Sequence, residues 1–157
     1  MRTLIILRHA QAAEGPGLPD RERPLTADGE RDAQRVGAQL GSLGLVPEVV
    51  LCSPAARARR TAELAFPGVE ISVERGIYEA YPDELYELVR GTDPEVKTVV
   101  LCGHNPGVHE MAISLTNGNH SFGPGSFAVV EFVAPWVDLW PGAGRLVGHW
   151  DPRARQM

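Results

Sequence analysis

Three short, continuously apolar segments constrain the fold of this chain more than any other feature. They are residues 4–7 (LIIL), residues 49–52 (VVLC) and residues 98–102 (TVVLC). A strand that is covered on both faces reads as such a run, whereas a strand with one solvated face alternates apolar and polar residues. Strands covered on both faces are typical of parallel sheets, so the three segments predict the core of a parallel sheet.

Helical patterns lie between the predicted strands. Apolar and small residues recur at helical spacing from a start near Thr26, and again over residues 85–89 after Pro82. This alternation predicts an α/β fold, a three-layer α/β/α sandwich around a mostly parallel central sheet. Residues 127–132 and 145–150 read as two further strands, expected to form a hairpin at one edge. The length of 157 residues predicts one domain over residues 1–157.

The charge balance and the apolar content exclude several classes of protein. The formal net charge is -5, whereas broad binding to nucleic acid or to an anionic membrane needs a basic surface. No apolar run approaches the roughly 18 residues that cross a membrane. Cys52 and Cys102 each end an apolar run, which is typical of buried thiols in a reducing compartment. We therefore expect a cytoplasmic protein with no nucleic-acid or membrane partner.

Polar groups follow each of the three predicted strands. Arg8 and His9 follow the first strand, residues 53–57 (SPAAR) the second, and residues 103–106 (GHNP) the third. Because the carboxyl ends of parallel strands meet at one edge of the sheet, where ligands bind, we expect these groups to converge. Each group alone is explained as the start of a solvated loop, so the prediction rests on their conjunction.

Two of these segments also predict helix N-termini. Ser53-Pro54 reads as an N-cap followed by the first helical residue, which puts Arg57 in the first turn. Asn105-Pro106 repeats the pattern and places His104 just before a second helix. A helix N-terminus carries partial positive charge, and the planar fork of arginine fits phosphate oxygens. The sequence therefore predicts a site for a dianion.

Taken together, these motifs resemble the histidine phosphatase superfamily. The matching residues are Arg8-His9-Ala10, Leu25-Thr26 with Gly29, Ser53-Pro54 with Arg57, Ala58 and Thr61, and Gly103-His104-Asn105-Pro106. The likeness is greatest to the short SixA-type phosphohistidine phosphatases. It extends in order from residue 2 to about residue 110, and the last third of the chain matches only in general character.

The resemblance implies a role for each of four residues. His9 is implied as the nucleophile that becomes phosphohistidine, Arg8 and Arg57 as phosphate clamps, and His104 as the second imidazole on the transferring group. Attack by a neutral imidazole and then by water splits one slow hydrolysis into two easier steps. The other nitrogen of His9 must then donate to a fixed acceptor, for which we expect a backbone carbonyl of residues 10–17. This chemistry requires no metal and no cofactor.

The sequence departs from some relatives at the position of the proton donor. Related acid phosphatases carry an aspartate directly after the second histidine, where it protonates the leaving group, and this chain has Asn105 there. Mutase-like relatives use a glutamate instead. Glu79 is a candidate equivalent, although it also reads as an ordinary carboxylate of a loop or helix start.

Because no residue is firmly identified as the proton donor to the leaving group, phosphohistidine is favoured as the substrate. An imidazole leaving group, with a pKa of about 6.5, leaves more readily than an alkoxide comparable to water at about 15.7. The chain is also too short for an additional cap domain, so we expect a shallow site that admits a side chain of another protein. We therefore expect a phosphatase that acts on a phosphorylated protein. A phosphomonoesterase for small phosphorylated metabolites, or a non-catalytic module that binds phosphate, stays open.

Two other kinds of catalytic site fit the sequence poorly. Cys52 precedes Arg57 in a strand-to-helix loop, but four residues separate the two, whereas cysteine phosphatases have five in a Cys-x5-Arg pattern. The five histidines show neither an HExxH motif nor a paired spacing for metal ligation. We expect His109, His120 and His149 to lie on the surface or in loops.

Overall fold

The computed structural model describes residues 1–153, so residues 154–157 of the predicted domain lie outside the described residues. Residues 1–153 form six strands and four α-helices. The strands are β1 (Arg2–Arg8), β2 (Val49–Cys52), β3 (Glu70–Val73), β4 (Thr98–Gly103), β5 (Phe127–Phe132) and β6 (Arg145–Trp150). The helices are α1 (Ala27–Ser42), α2 (Ala56–Ala65), α3 (Pro82–Arg90) and α4 (Gly107–Thr116).

The six strands form one sheet in the order β3-β2-β4-β1-β5-β6. The first four are parallel to one another, whereas β5 and β6 are antiparallel to their neighbours. The predicted α/β class with a mostly parallel sheet is therefore confirmed, and the predicted edge hairpin is the β5-β6 pair. Sequence reasoning missed β3, because this short edge strand is partly solvated and has no continuous apolar run.

Helices cover both faces of the sheet. Leu4 and Ile6 of β1 pack in a cluster with residues of α3 and α4, whereas Ile5 and Leu7 pack with residues of α1 and α2. All four side chains are fully buried. Since successive residues of a strand point to opposite faces, a strand between two helical layers must be apolar at every position. This requirement explains the three runs in the sequence.

The predicted start of α1 is confirmed in detail. The Thr26 hydroxyl caps the helix by accepting a 2.9 Å hydrogen bond from the Gly29 amide. Gly29 lies so close to the preceding loop that a Cβ at this position would be 2.2 Å from the Gln11 carbonyl oxygen. Glycine is therefore required here for the helix to pack against the backbone that follows His9.

The predicted cap of α2 is wrong by two residues and that of α4 by one residue. The N-cap of α2 is Ala55, and Ser53 Oγ instead accepts the Ala55 amide at 3.2 Å in the turn before the helix. The N-cap of α4 is Pro106. Asn105 does not cap this helix, because its amide donates a 2.8 Å bond to the Phe122 carbonyl. In both cases the side chain forms another hydrogen bond and does not cap the helix that follows it.

No helix of residues 1–153 combines the length and the hydropathy that a membrane crossing needs. Cys52 and Cys102 are buried as free thiols.

Candidate active site

The carboxyl ends of β1, β2 and β4 lie side by side. The strand register pairs Arg8 with Gly103 and Cys52 with Cys102. The residues that follow these strands are therefore neighbours: the ring centroids of His9 and His104 are 5.0 Å apart, and His104 Nε2 is 2.7 Å from Ser53 Oγ. Arg57, in the first turn of α2, completes the group that the strand ends bring together.

One ring nitrogen of His9 is engaged in a hydrogen bond. Its Nδ1 donates to the Ala10 carbonyl oxygen at 2.7 Å, an acceptor inside the segment where the sequence predicts one. The proton is then on Nδ1, and Nε2 carries the lone pair. Burial is the main cause that lowers the pKa of His9 to about 3, and the charges of Arg57 and Arg8 add to it. His9 is therefore a neutral imidazole near pH 7, with Nε2 available as a nucleophile.

His104 is the second imidazole of the site. Its ring stands edge-on to Tyr78, with the centroids 5.5 Å apart. Burial first, and the charge of Arg57 second, lower the pKa of His104 to about 4. Nδ1 of His104 is buried and has no hydrogen-bond partner among residues 1–153. Both imidazoles of the site are thus uncharged near neutral pH, and the positive charge comes from arginine.

Arg8 lies at the end of β1 with its guanidinium partly buried. One terminal nitrogen donates to the Phe122 carbonyl at 3.1 Å, while Nε is buried without a partner in the described part of the chain. Burial and the nearby charge of Arg57 lower the pKa of Arg8. A buried donor without an acceptor is costly, and so are two guanidiniums close together. An anion between them offsets both costs.

Arg57 is 7% exposed, and its guanidinium is held by a loop residue that sequence reasoning missed. Its two terminal nitrogens donate to the Asp20 backbone oxygen at 2.7 Å and to Asp20 Oδ2 at 3.0 Å. The same carboxylate oxygen accepts a 2.5 Å bond from the Tyr78 hydroxyl. These bonds from Tyr78 and Arg57 hold the pKa of Asp20 well below its usual range. Asp20 is therefore an ionised carboxylate at the site and a poor proton donor.

Thr61 links α2 to the loop that carries His9. Its hydroxyl accepts the Ala10 amide at 3.0 Å and donates to the Arg57 carbonyl at 2.7 Å, and the side chain is fully buried. Through this one hydroxyl, the backbone next to His9 and the backbone of Arg57 are held at a set distance. The threonine of the matched motif thus has a structural explanation.

A cavity of about 370 Å³ opens beside these groups. Its lining includes Arg57, His104, Tyr78 and Asp20, whereas Arg8 and His9 are not among the lining residues. Glu79 also lines it, so the candidate acid is in the same cavity as the arginine and the second imidazole. The backbone of Glu79 has a φ of 57°, a left-handed conformation that is uncommon outside glycine.

The arrangement fits the transfer of a phosphoryl group. A neutral imidazole nitrogen is a competent nucleophile, and nearby guanidiniums can balance the negative charge of the transferring oxygens. The Phe122 carbonyl holds Arg8 and Asp20 holds Arg57, so both guanidiniums are positioned before an anion binds.

The remaining histidines lie away from this site. His109 stacks on Phe122 with ring centroids 5.4 Å apart, and the rings of His120 and His149 are 5.1 Å apart. His120 is in a loop and exposed, whereas His109 is in α4, His149 is in β6, and both are half-buried. Within residues 1–153, no group of three or more histidine, cysteine or acidic side chains is arranged to hold a metal ion.

Comparison with known proteins places this chain in a family. Residues 4–92 match the model of branch 1 of the histidine phosphatase superfamily. An uncharacterised protein of Mycobacterium tuberculosis is 31% identical over 94% of this chain and 100% of its own length. The chain therefore belongs to the histidine phosphatase superfamily.

Solved structures of SixA proteins are similar over nearly the whole chain. A Nakamurella multipartitia protein that carries the name of the phosphohistidine phosphatase SixA is 29% identical. It superposes with a TM-score of 0.89 over 98% of this chain and 97% of its own. A SixA protein of Agrobacterium tumefaciens, named in the same way, is 26% identical with a TM-score of 0.82 over 96% and 98%.

Proposed function

We propose that this chain is a phosphatase that forms a phosphohistidine at His9, and that its substrate is phosphohistidine on another protein. The observation that carries the proposal is the state of His9. Its Nδ1 is committed to the Ala10 carbonyl, and its Nε2 is unprotonated near neutral pH. Arg57 and His104 lie beside it. Membership of the histidine phosphatase superfamily supports the same conclusion.

The reaction has two transfers at phosphorus. His9 Nε2 attacks the phosphorus atom, a P–N bond forms on His9, and the P–N bond to the substrate imidazole breaks. Water then attacks the phosphorus of phospho-His9, the new P–N bond breaks, and inorganic phosphate leaves as His9 is restored. Arg8 and Arg57 hold the phosphoryl oxygens in both steps, with His104 against the transferring group.

The leaving imidazole takes up a proton as it departs, and we propose two sources for that proton. It can carry that proton already, since its ordinary pKa is about 6.5. Glu79 is the other source, because it lines the cavity with His104 and Arg57. Asp20 is excluded as the donor, because its pKa is held low by Tyr78 and Arg57. We assign Glu79 as proton donor for leaving groups poorer than imidazole.

The first experiment follows the phosphoryl group. Incubation with a labelled phosphohistidine peptide should leave label on the protein in a form that acid releases and base does not. Replacing His9 with Asn should abolish the adduct and turnover, because the amide keeps the bond to Ala10 but has no nucleophilic nitrogen. The exposed His120 gives the matched control, His120→Asn, which should form the adduct as the wild type does. Label that persists in the His9 variant, or that is absent from the wild type, contradicts the assignment.

The second experiment separates the substrate classes. Turnover of a phosphohistidine peptide should exceed that of sugar phosphates by kcat/KM, and the reverse order would make the protein a phosphomonoesterase for metabolites. Phosphate binding without turnover of either class would make it a binding module. We propose that side chains alone perform the chemistry, so turnover should survive dialysis against a chelator, and loss that zinc or magnesium restores would contradict this.

We also propose a cytoplasmic location. The buried free thiols of Cys52 and Cys102 support it, because thiols persist in a reducing compartment. Fractionation of cells that express the full-length protein tests this, and recovery outside the cytoplasmic fraction would contradict it.

A further inference from the structure

The cavity beside His104 is larger than a phosphoryl group needs. Its volume of about 370 Å³ is several times that of a phosphate ion, and it continues from Arg57 and His104 to Tyr81, Pro82 and Glu110. In the proposed reaction the phosphoryl group occupies the end with the arginine and the imidazole. The far end must then hold whatever is attached to it, and the chemistry of that end limits which substrates fit.

The charges of the cavity are unbalanced. Its lining contains three carboxylates, Asp20, Glu79 and Glu110, and a single guanidinium, Arg57. Asp20 already pairs with Arg57 and with Arg23. When a phosphoryl group that carries two negative charges binds, Arg8 adds one positive charge from beside the cavity, and the balance remains negative even where Glu79 is protonated as a donor. A second anionic group on the substrate is repelled, whereas a cation at the far end is attracted.

The other basic side chains near the opening do not reverse this balance. Arg21 and Arg59 line a separate depression, together with Glu22, on the side of α2. The Arg21 guanidinium lies 5.3 Å from the centre of the Tyr78 ring, at the near end of the cavity. The far end, where α3 and α4 begin, contains Glu110. Among the residues of the described chain that line this end, none is an arginine or a lysine.

The wall that carries these groups is firmly packed. The Ala80 carbonyl lies so close to Gly107 that a Cβ there would be 2.5 Å from its oxygen, so the loop before α3 and the start of α4 touch backbone to backbone. The Glu84 carboxylate accepts the Tyr81 amide at 3.0 Å. Tyr81 itself is 75% exposed at the cavity, where its ring offers an apolar and π-electron surface to a long cationic side chain.

We propose that this far end is a subsite for a lysine or arginine next to the phosphohistidine of the substrate protein, with Glu110 as its charge partner and Tyr81 against its stem. The inference rests on the proposed function and names the class of protein segment on which it acts: basic around the phosphorylated histidine. Substrates with a carboxylate near the phosphoryl group are disfavoured by the same charges.

The test compares two peptides that carry the phosphorylated residue at the centre. Lysine flanks this residue on both sides in one peptide, and glutamate flanks it in the other. Each is made with phosphohistidine for turnover and with a stable phosphonate analogue for binding. The wild type should bind and turn over the lysine peptide preferentially. Glu110→Gln should reduce the preference about threefold to fivefold, the effect of one solvent-exposed ion pair, and added salt should reduce it too. Glu95→Gln, the same charge change in the loop before β4, should leave it unchanged.

The outcomes separate the two proposals. Equal binding of the two analogue peptides, no detectable binding of either, or a preference that Glu110→Gln leaves intact would overturn the subsite. Preferential binding of the lysine analogue without turnover of either phosphohistidine peptide would support the subsite and refute the proposed activity.

Discussion

Replacing His9 with Asn should make the protein less sensitive to acid. The folded state holds His9 as a neutral imidazole with a pKa of about 3, mainly because it is buried, whereas an unfolded histidine titrates near 6.5. Below pH 6.5 the unfolded chain therefore binds a proton that the folded chain does not. The contribution of His9 to the unfolding free energy is therefore fully present above about pH 6.5 and is lost as the pH falls towards 3.

The size of the effect follows from the two pKa values. At about pH 4.5 the unfolded imidazole is almost fully protonated and the folded one is almost fully neutral, so the loss is about 2–3 kcal/mol from His9. His104, with a pKa of about 4, titrates in the same direction and contributes a similar loss. The substitution removes the first contribution and leaves the second.

The assay is urea unfolding followed by tryptophan fluorescence, at neutral pH and at about pH 4.5. The drop in unfolding free energy between the two pH values should be about 2–3 kcal/mol smaller in His9→Asn than in the wild type. His120→Asn is the control and should reproduce the wild-type drop. Equal drops in the wild type and His9→Asn would refute the assignment of a buried, neutral imidazole.

Three further substitutions test the site and its wall. Arg57→Lys should lower kcat/KM about 100-fold while the fold is kept, because a point charge loses the two-pronged geometry; kinetics within twofold of wild type would contradict the clamp. Asp20→Asn should strengthen competitive inhibition by inorganic phosphate about fivefold at low salt, since one negative charge leaves the site, and weaker inhibition would contradict this. Gly107→Ala should lower the unfolding free energy by about 1–3 kcal/mol, because its Cβ would be 2.5 Å from the Ala80 oxygen. Gly41→Ala, where nothing lies within 4 Å, is the control, and an equal loss there would contradict the packing argument.

The layered fold was predictable because its signal is local. Strands β1, β2 and β4 are covered on both faces, so burial demands apolar residues at consecutive positions and leaves a pattern visible in a few residues. Strand β3 lies at the edge and has solvated side chains, so the same rule leaves no pattern there. The start of α1 was also predictable, because Thr26 caps its own helix within a few residues.

Local rules failed where a side chain found a partner elsewhere. Ser53 next to Pro54 has the pattern of a cap, yet its hydroxyl bonds in the preceding turn and lies against His104. Asn105 reaches Phe122, which is 17 positions away. A preference for a cap is worth about 1 kcal/mol, so a tertiary hydrogen bond of similar strength is enough to displace it.

The sequence alone predicted every strand except β3, the covering helices and the four motif residues Arg8, His9, Arg57 and His104, because burial periodicity and strand ends are properties of short segments. Only the tertiary structure decided which nitrogen of His9 is bonded, that Asp20 holds Arg57 from 37 positions away, and that Glu79 and Glu110 line one cavity. The Asp20 contact and the shared cavity join segments that are distant in the chain. The packing of the helices on the sheet sets them, and no spacing in the sequence records them.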